Sequence, residues 1–117
     1  MTEQRRRNAR LGFLKHLVLI GGKPEGYLED LTPGGAGLVM TRVPREGETV
    51  TCVIRFHPCL KLPDLQLQGN VRWVAPSATG SARVGIQFPS PEVHSLAIIK
   101  RYMAHASRVQ QGRDRLP

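Results

Sequence analysis

The sequence predicts an all-β domain, a six-stranded antiparallel barrel followed by a C-terminal helix. Apolar residues alternate with polar residues from residue 49 to residue 88, which is the period of a strand with one buried face. After residue 91 the apolar spacing changes to that of a helix. Short turn-forming groups separate the strands, and closure into a barrel would remove the exposed edges of so small a sheet.

Three short strands are predicted in the first part of the chain, at residues 14–20, 26–30 and 37–41. Residues 21–24, Gly-Gly-Lys-Pro, and residues 32–35, Thr-Pro-Gly-Gly, are the predicted turns between them. In the second turn, Asp30 or Thr32 can bond nearby amides, and Gly34 or Gly35 is expected to take a positive φ.

Three longer strands are predicted next, at residues 49–56, 65–73 and 81–88. In the second of these, strict alternation places Trp73 on the inner face together with Leu65, Leu67 and Val71. Gly69 interrupts this strand, and a glycine inside a strand is typical of a bend or bulge.

The final segment, residues 91–111, is predicted to form an amphipathic helix that packs on the barrel or on a partner. The apolar positions at helical spacing are Val93, Leu96, Ile99, Met103 and Ala106. The chain is therefore divided into a flexible arginine-rich arm at residues 1–12, the barrel with its helix at residues 13–111, and a frayed tail at residues 112–117.

The chain is strongly basic, and this favours an anionic ligand. Its 117 residues include 17 Lys and Arg against 9 Asp and Glu, for a formal net charge of +8. Arginine predominates among the cations, and its planar fork suits phosphates and guanine edges. Two cysteines are too few for a disulfide framework, and the apolar stretch 11–20 is too short for a membrane span. We therefore expect a cytoplasmic protein without membrane insertion.

The residues that could carry catalysis or bind a metal form no consistent set. The four histidines are scattered over predicted strand, loop and helix, and have no local carboxylate partner. Cys52, His57 and Cys59 are close in sequence, but a structural zinc site requires four ligands and Cys52 is predicted to face the core. We predict neither an enzyme, nor a metal site, nor a cofactor.

Two short motifs stand out. Arg6 and Arg10 form an Arg-x-x-x-Arg pair directly preceded by Arg5, and residues 30–35 form an Asp-x-Thr-x-x-Gly turn. Taken alone, the first motif is also explained by a solvated basic terminus, and the second by turn geometry.

In this order, and with the barrel pattern downstream, the two motifs resemble those of the PilZ domain family, whose members bind the bacterial second messenger cyclic di-GMP. Arg6 and Arg10 match the family's first motif. Asp30 and Gly35 match its second motif, in which Thr32 replaces the usual Ser. Residues 69–73 and 84–88 are similar to strand sequences of the family, and the resemblance covers nearly the whole chain. It implies a six-stranded antiparallel barrel with a C-terminal helix.

The resemblance also implies a ligand site formed by Arg5, Arg6, Arg10, Asp30, Thr32 and Gly35. Arginine can stack on a purine, chelate a phosphate or bond guanine bidentately, and Asp30 can accept the N–H groups of guanine. In the family, an arginine in the position of Arg5 is associated with capture of two intercalated ligand molecules. The arm would close over the ligand and signal to an unidentified downstream protein, in motility, pilus, exopolysaccharide or biofilm control.

Two alternatives from other classes stay open. One is a PilZ-like adaptor that does not bind the nucleotide and acts only through protein contacts. The other is a general nucleic-acid-binding barrel, which the net charge favours. The 5% aromatic content disfavours this second alternative, because single-stranded nucleic acids need stacking platforms.

Overall fold

Six antiparallel strands close into a barrel in the order β1-β2-β3-β6-β5-β4, and one helix follows them. The computed structural model describes residues 15–115, with side chains to residue 107. The strands are β1 (Leu17–Ile20), β2 (Lys23–Thr32), β3 (Gly35–Met40), β4 (Thr49–Arg55), β5 (Leu65–Pro76) and β6 (Ala82–Gln87), and the helix is α1 (Val93–Arg115). A single 3-10 turn, Pro58–Leu60, lies between β4 and β5. The predicted fold class is confirmed.

Alternating side chains fill the inside of the barrel, as the sequence pattern predicts. Val50, Cys52 and Ile54 of β4 are buried, and so are Val84 and Ile86 of β6. Burial raises the pKa of the Cys52 thiol to about 11, so this cysteine is a neutral core residue. These residues and their counterparts on the other strands form one continuous core.

The two turns near the start of the barrel differ in their backbone chemistry. Gly21 and Gly22 both have positive φ, at 62° and 80°, which suits a two-residue hairpin between twisted strands. The expectation of a positive φ at Gly34 or Gly35 is wrong, since neither adopts one. Gly35 is required for a different reason. A Cβ at this position would collide with the backbone carbonyl of Ile86 on the neighbouring strand.

The helix packs on the barrel through a different stripe from the predicted one. Ser95, Ile98, Ile99 and Tyr102 are its buried residues. Of the five predicted positions only Ile99 is fully buried, while Val93 is 84% exposed and Met103 is 39% exposed. The helix also begins at Val93 instead of residue 91, and it continues past residue 111 to Arg115. Apolar residues lie on two overlapping stripes that share Ile99, and contact with the barrel selects the stripe that contains the aromatic Tyr102.

An aromatic cluster joins the helix to the barrel and to the chain before β1. The His16 ring lies 5.7 Å from Phe56 and 5.5 Å from Tyr102, both edge-on, measured between centroids. His16 is only 2% exposed, and its Nδ1 accepts the backbone N–H of His57 at 3.0 Å. Burial, and secondly the charge of His57, lower the pKa of His16 to about 4. The cluster therefore holds a neutral imidazole where the N-terminal segment enters the barrel.

Candidate functional site

A β-bulge in β2 turns two successive acidic side chains toward the outside of the barrel. The pairing of β2 with β3 passes from Leu28–Leu38 directly to Asp30–Gly37, so Glu29 is the extra residue. Leu28 and Leu31 face the core on either side of the bulge, and Glu29 and Asp30 both lie on the outer face. A bulge commonly redirects side chains in this way.

A second bulge, in β5, turns the side chains of Arg72 and Trp73 toward the outside of the barrel. The pairing of β5 with β6 passes from Val71–Ile86 to Trp73–Gly85 and leaves Arg72 as the extra residue. Trp73 is 48% exposed, so the prediction that it faces the core is wrong. The register shift at Arg72 reverses the alternation from that point onward, because each residue changes face when the register moves by one.

The bend expected at Gly69 is absent from β5, which pairs regularly with β4 at this residue. Gly69 instead leaves room for the core. A Cβ there would collide with the side chain of Ile86 on β6.

Four residues lie in register across four strands between the two bulges. Asp30 pairs with Gly37, Gly37 with Gly85, and Gly85 with Trp73. Asp30 Oδ1 accepts the N–H of Gly37 at 2.7 Å, and a Cβ at Gly37 would lie at that same distance from it. A Cβ at Gly85 would collide with the indole of Trp73, which lies directly on this glycine. Asp30 and Trp73 therefore flank a floor of two glycines, about 14 Å across at the usual strand spacing. We call these four residues the glycine row.

An open cavity of about 360 Å³ lies over the glycine row. It brings together Asp30, Thr32 and Gly35, the predicted site residues of the second motif. Thr32 is exposed, and its hydroxyl donates to the carbonyl of Gly35 at 3.4 Å. Arg5, Arg6 and Arg10, the residues of the first motif, lie outside the described residues. The rest of the lining consists of Glu29, Gly34, Ala36, Gly37, Arg72, Trp73, Arg83, Gly85, Ile86 and Gln87.

Several lining residues are not part of the predicted site. Glu29, Arg83 and Gly85 are among them, and so are Arg72 and Trp73, although the family resemblance implies that their strand lies near the ligand. One signal could have located the first bulge, because Glu29 and Asp30 are two consecutive acidic residues between the apolar Leu28 and Leu31. In the second bulge, the apolar Trp73 stands where strict alternation expects a core residue, so the sequence does not reveal the change of register.

The charges that line this cavity cancel. Arg72 and Arg83 are balanced by Glu29 and Asp30, and Arg83 Nε donates to Glu29 Oε1 at 3.0 Å. A ligand with two phosphates would therefore find no net positive charge among these lining residues. The net positive charge that such a ligand requires must come from elsewhere in the chain.

The chain before β1 joins the barrel close to this cavity. The backbone N–H of Leu28 donates to the carbonyl of His16 at 2.9 Å, two residues before Asp30 on the same strand. Tyr102, which packs on His16, is also near Asp30. Its pKa is raised to about 12, first by burial and then by the Asp30 carboxylate. His16, at the start of the described chain, thus lies beside the acidic end of the glycine row.

A second open groove, of about 860 Å³, lies between β4, β5 and the start of α1. Hydroxyl and amide side chains such as Thr49, Gln66 and Asn70 line it, together with the carboxylates of Asp64 and Glu92. Among the described residues, its lining contains none of Asp30, Thr32 and Gly35, and neither Lys nor Arg. This groove does not suit a phosphate ligand.

The comparison with protein families agrees with the barrel fold. The family model described as the PilZ domain matches residues 4–105. The chain belongs to the PilZ domain family. PilZ domains form a family of cyclic di-GMP receptors and are generally not enzymes. Among curated proteins, no sequence match to the chain was found.

Two further observations concern this PilZ chain. Within residues 15–115, no group of three or more His, Cys, Asp or Glu side chains is arranged to hold a metal ion. In the same part of the chain, no helix combines the length and hydrophobicity needed to cross a bilayer.

Proposed function

We propose that this PilZ domain is a cytoplasmic receptor for cyclic di-GMP, and that residues 5–10 close over the nucleotide on the glycine row. The observation that carries the proposal is the hydrogen bond between Leu28 N–H and the His16 carbonyl. It joins His16, which follows Arg10 by six residues, to β2 two residues before Asp30. The two motifs can therefore act on one ligand.

The glycine row suits the flat bases of the ligand. The absence of a Cβ at Gly37 and Gly85 lets the Asp30 carboxylate and the Trp73 indole lie close to the sheet, and the outer face of the indole offers a surface on which a base can stack. Asp30 Oδ1 already accepts the Gly37 N–H, which fixes the carboxylate and leaves Oδ2 for the N–H donors of guanine. Adenine does not present those donors in the same arrangement, so Asp30 would select guanine.

The phosphates are assigned to the arm. Since the lining charges cancel, Arg6 and Arg10 would supply the positive charge for the two phosphates, and Arg5 would supply more. Closure of the arm couples its ordering to binding and creates a new surface near α1. This surface would signal to a downstream protein, as expected for a receptor in motility, pilus, exopolysaccharide or biofilm control.

Calorimetric titration of the full chain tests the proposal, with cyclic di-GMP as ligand and GTP and cyclic di-AMP as controls. We expect binding of cyclic di-GMP that is at least about tenfold tighter than binding of either control, because Asp30 reads the guanine donors. We also expect two ligands per chain in the parent and one in Arg5→Ala. A flat cyclic di-GMP titration without a thermal shift contradicts the proposal and favours the adaptor alternative.

The Trp73 platform gives a second prediction. Trp73→Ala is expected to weaken cyclic di-GMP binding by at least about fivefold, because stacking of a base on an aromatic ring contributes about 1–3 kcal/mol. Trp73→Phe keeps a ring and should retain most of the affinity. The melting temperature should stay within about 3 °C of the parent value, since the side chain is half exposed.

Gly85→Ala tests the same platform without changing the indole itself. The added Cβ must displace the Trp73 ring, so we expect a loss of affinity similar to that of Trp73→Ala. The double variant should bind less than about twofold more weakly than Trp73→Ala alone, because both changes remove the same interaction. Parent-like calorimetric affinity in both single variants contradicts the stacking role.

A further inference from the structure

One ion pair crosses the outer surface of the barrel at the candidate site. Glu29, the bulged residue of β2, accepts from Arg83 Nε of β6 at 3.0 Å. Strand β3 lies between these two strands, and Arg83 pairs with Val39 of β3. The pair therefore spans a whole strand, and both of its residues line the cavity over the glycine row.

The atom that Arg83 uses determines what the rest of its guanidinium can do. Glu29 engages Nε, and no other hydrogen bond of this guanidinium to a described side chain is present. The terminal nitrogens Nη1 and Nη2 form the opposite edge of the same rigid plane, and such an edge can bond two oxygens of one phosphate. An arginine held at Nε thus presents this edge in a fixed direction and loses less rotamer freedom when it binds.

We infer that Glu29 is a positioning residue that aligns Arg83 for one phosphate of the bound nucleotide. This inference depends on the proposed function. It explains why the Glu29 carboxylate lines a cavity that is proposed to bind an anion. The repulsion between this carboxylate and the phosphate is offset because the carboxylate fixes the Arg83 guanidinium. The bulge places Glu29 within reach of β6.

The chain supplies a matched control for this pair. Glu25, four residues earlier on β2, accepts from Arg42 Nε at 3.2 Å, and neither residue lines the cavity. The control pair has the same two chemical groups and the same bonded atoms, and its carboxylate lies on the same strand, but Arg42 also donates from Nη2 to Glu48 at 2.9 Å. Substitutions at Glu25 report what loss of such a pair does to the barrel in general.

Calorimetric titration with cyclic di-GMP compares Glu29→Gln with Glu29→Ala. Both variants remove the same charge, but only glutamine keeps an oxygen that can accept from Arg83 Nε. We expect Glu29→Ala to bind about three- to fivefold more weakly than Glu29→Gln, the size of one exposed charged contact. The difference should fall below about twofold when Arg83→Ala is added to both. Glu25→Gln and Glu25→Ala should bind alike.

The outcomes separate this inference from the function on which it depends. Equal affinities of Glu29→Gln and Glu29→Ala, with a parent that binds normally, overturn the positioning role and leave the receptor function intact. A difference that persists without Arg83 also overturns it, because Glu29 would then act on something else. A parent that does not bind cyclic di-GMP overturns both. Melting temperatures of all variants verify that the barrel is folded.

Discussion

Arg10→Ala is expected to weaken cyclic di-GMP binding by about ten- to hundredfold without lowering the stability of the barrel. The substitution removes a charge-assisted contact to phosphate or guanine, worth about 1.5–3 kcal/mol. The effect is large because the lining charges of the cavity cancel, so the arm is the source of the net positive charge that two phosphates require. Calorimetry measures the affinity, and thermal unfolding without ligand measures the stability.

The geometry allows Arg10 to reach any part of the glycine row. Arg10 precedes His16 by six residues, which can span about 20 Å when extended. His16 is fixed to Leu28, and from there Asp30 is about 7 Å along β2. Trp73 lies three strand spacings beyond Asp30, or about 14 Å. The segment is therefore long enough to cover the row from its acidic end to its aromatic end.

Arg7→Ala is the matched control, because it removes the same charge from the same segment at a position outside the Arg-x-x-x-Arg pair. We expect it to change the affinity by less than about threefold, through the general electrostatic effect alone. Equal losses in Arg7→Ala and Arg10→Ala would show that the arm acts only as a diffuse basic tail. Parent-like affinity in Arg10→Ala would remove the arm from the site.

The strands of this protein could be predicted from the sequence because the barrel core depends on a local pattern. Alternation in β4 and β6 places Val50, Cys52, Ile54, Val84 and Ile86 inside, and the structure agrees. The predicted boundaries are less accurate, because Lys23 and Pro24 of the first predicted turn belong to β2 and Gly35 of the second begins β3. Because the pattern is local, six strands and their closure nevertheless follow from the residues alone.

The two bulges form the site, and only the bulge in β2 left a local signal, the adjacent Glu29 and Asp30. A bulge adds one residue to a strand and inverts the alternation beyond it, and in β5 its position depends on the partner strand. The orientation of Trp73 shows this effect. Strict alternation counted from Leu65 would place the Trp73 side chain in the core. The extra residue Arg72 instead turns the indole outward, where it lies on Gly85. The role of Gly37 and Gly85 in the site likewise depends on their pairing in the sheet, which the sequence does not show.

The same limit applies to the helix. Periodicity predicts α1, but two apolar stripes share Ile99, and the choice between them depends on what the barrel presents. The barrel presents His16 and Phe56, against which Tyr102 packs. This choice places the helix against His16, whose carbonyl accepts from β2 two residues before Asp30.

Acidification is expected to destabilise this neighbourhood, with the free energy of unfolding falling by about 3 kcal/mol between pH 6.5 and pH 4. The pKa of His16 is about 4 in the folded chain and about 6.5 when unfolded, because burial disfavours the imidazolium. Between these values the unfolded chain binds a proton that the folded chain does not. Stability is therefore fully present above pH 6.5 and decreases as the pH falls toward 4.

Urea unfolding at several pH values between 4 and 7 measures this loss, and His16→Asn isolates the contribution of His16. The Asn side-chain oxygen can still accept the His57 N–H that His16 Nδ1 accepts, but the amide does not titrate. The variant should be less stable than the parent at pH 7, since the edge-on contacts with Phe56 and Tyr102 are lost. Its stability should then fall less steeply with acid, so that the two curves converge toward pH 4. Parallel curves would mean that another group causes the acid sensitivity, and that the His16 imidazole accepts a proton without loss of the fold.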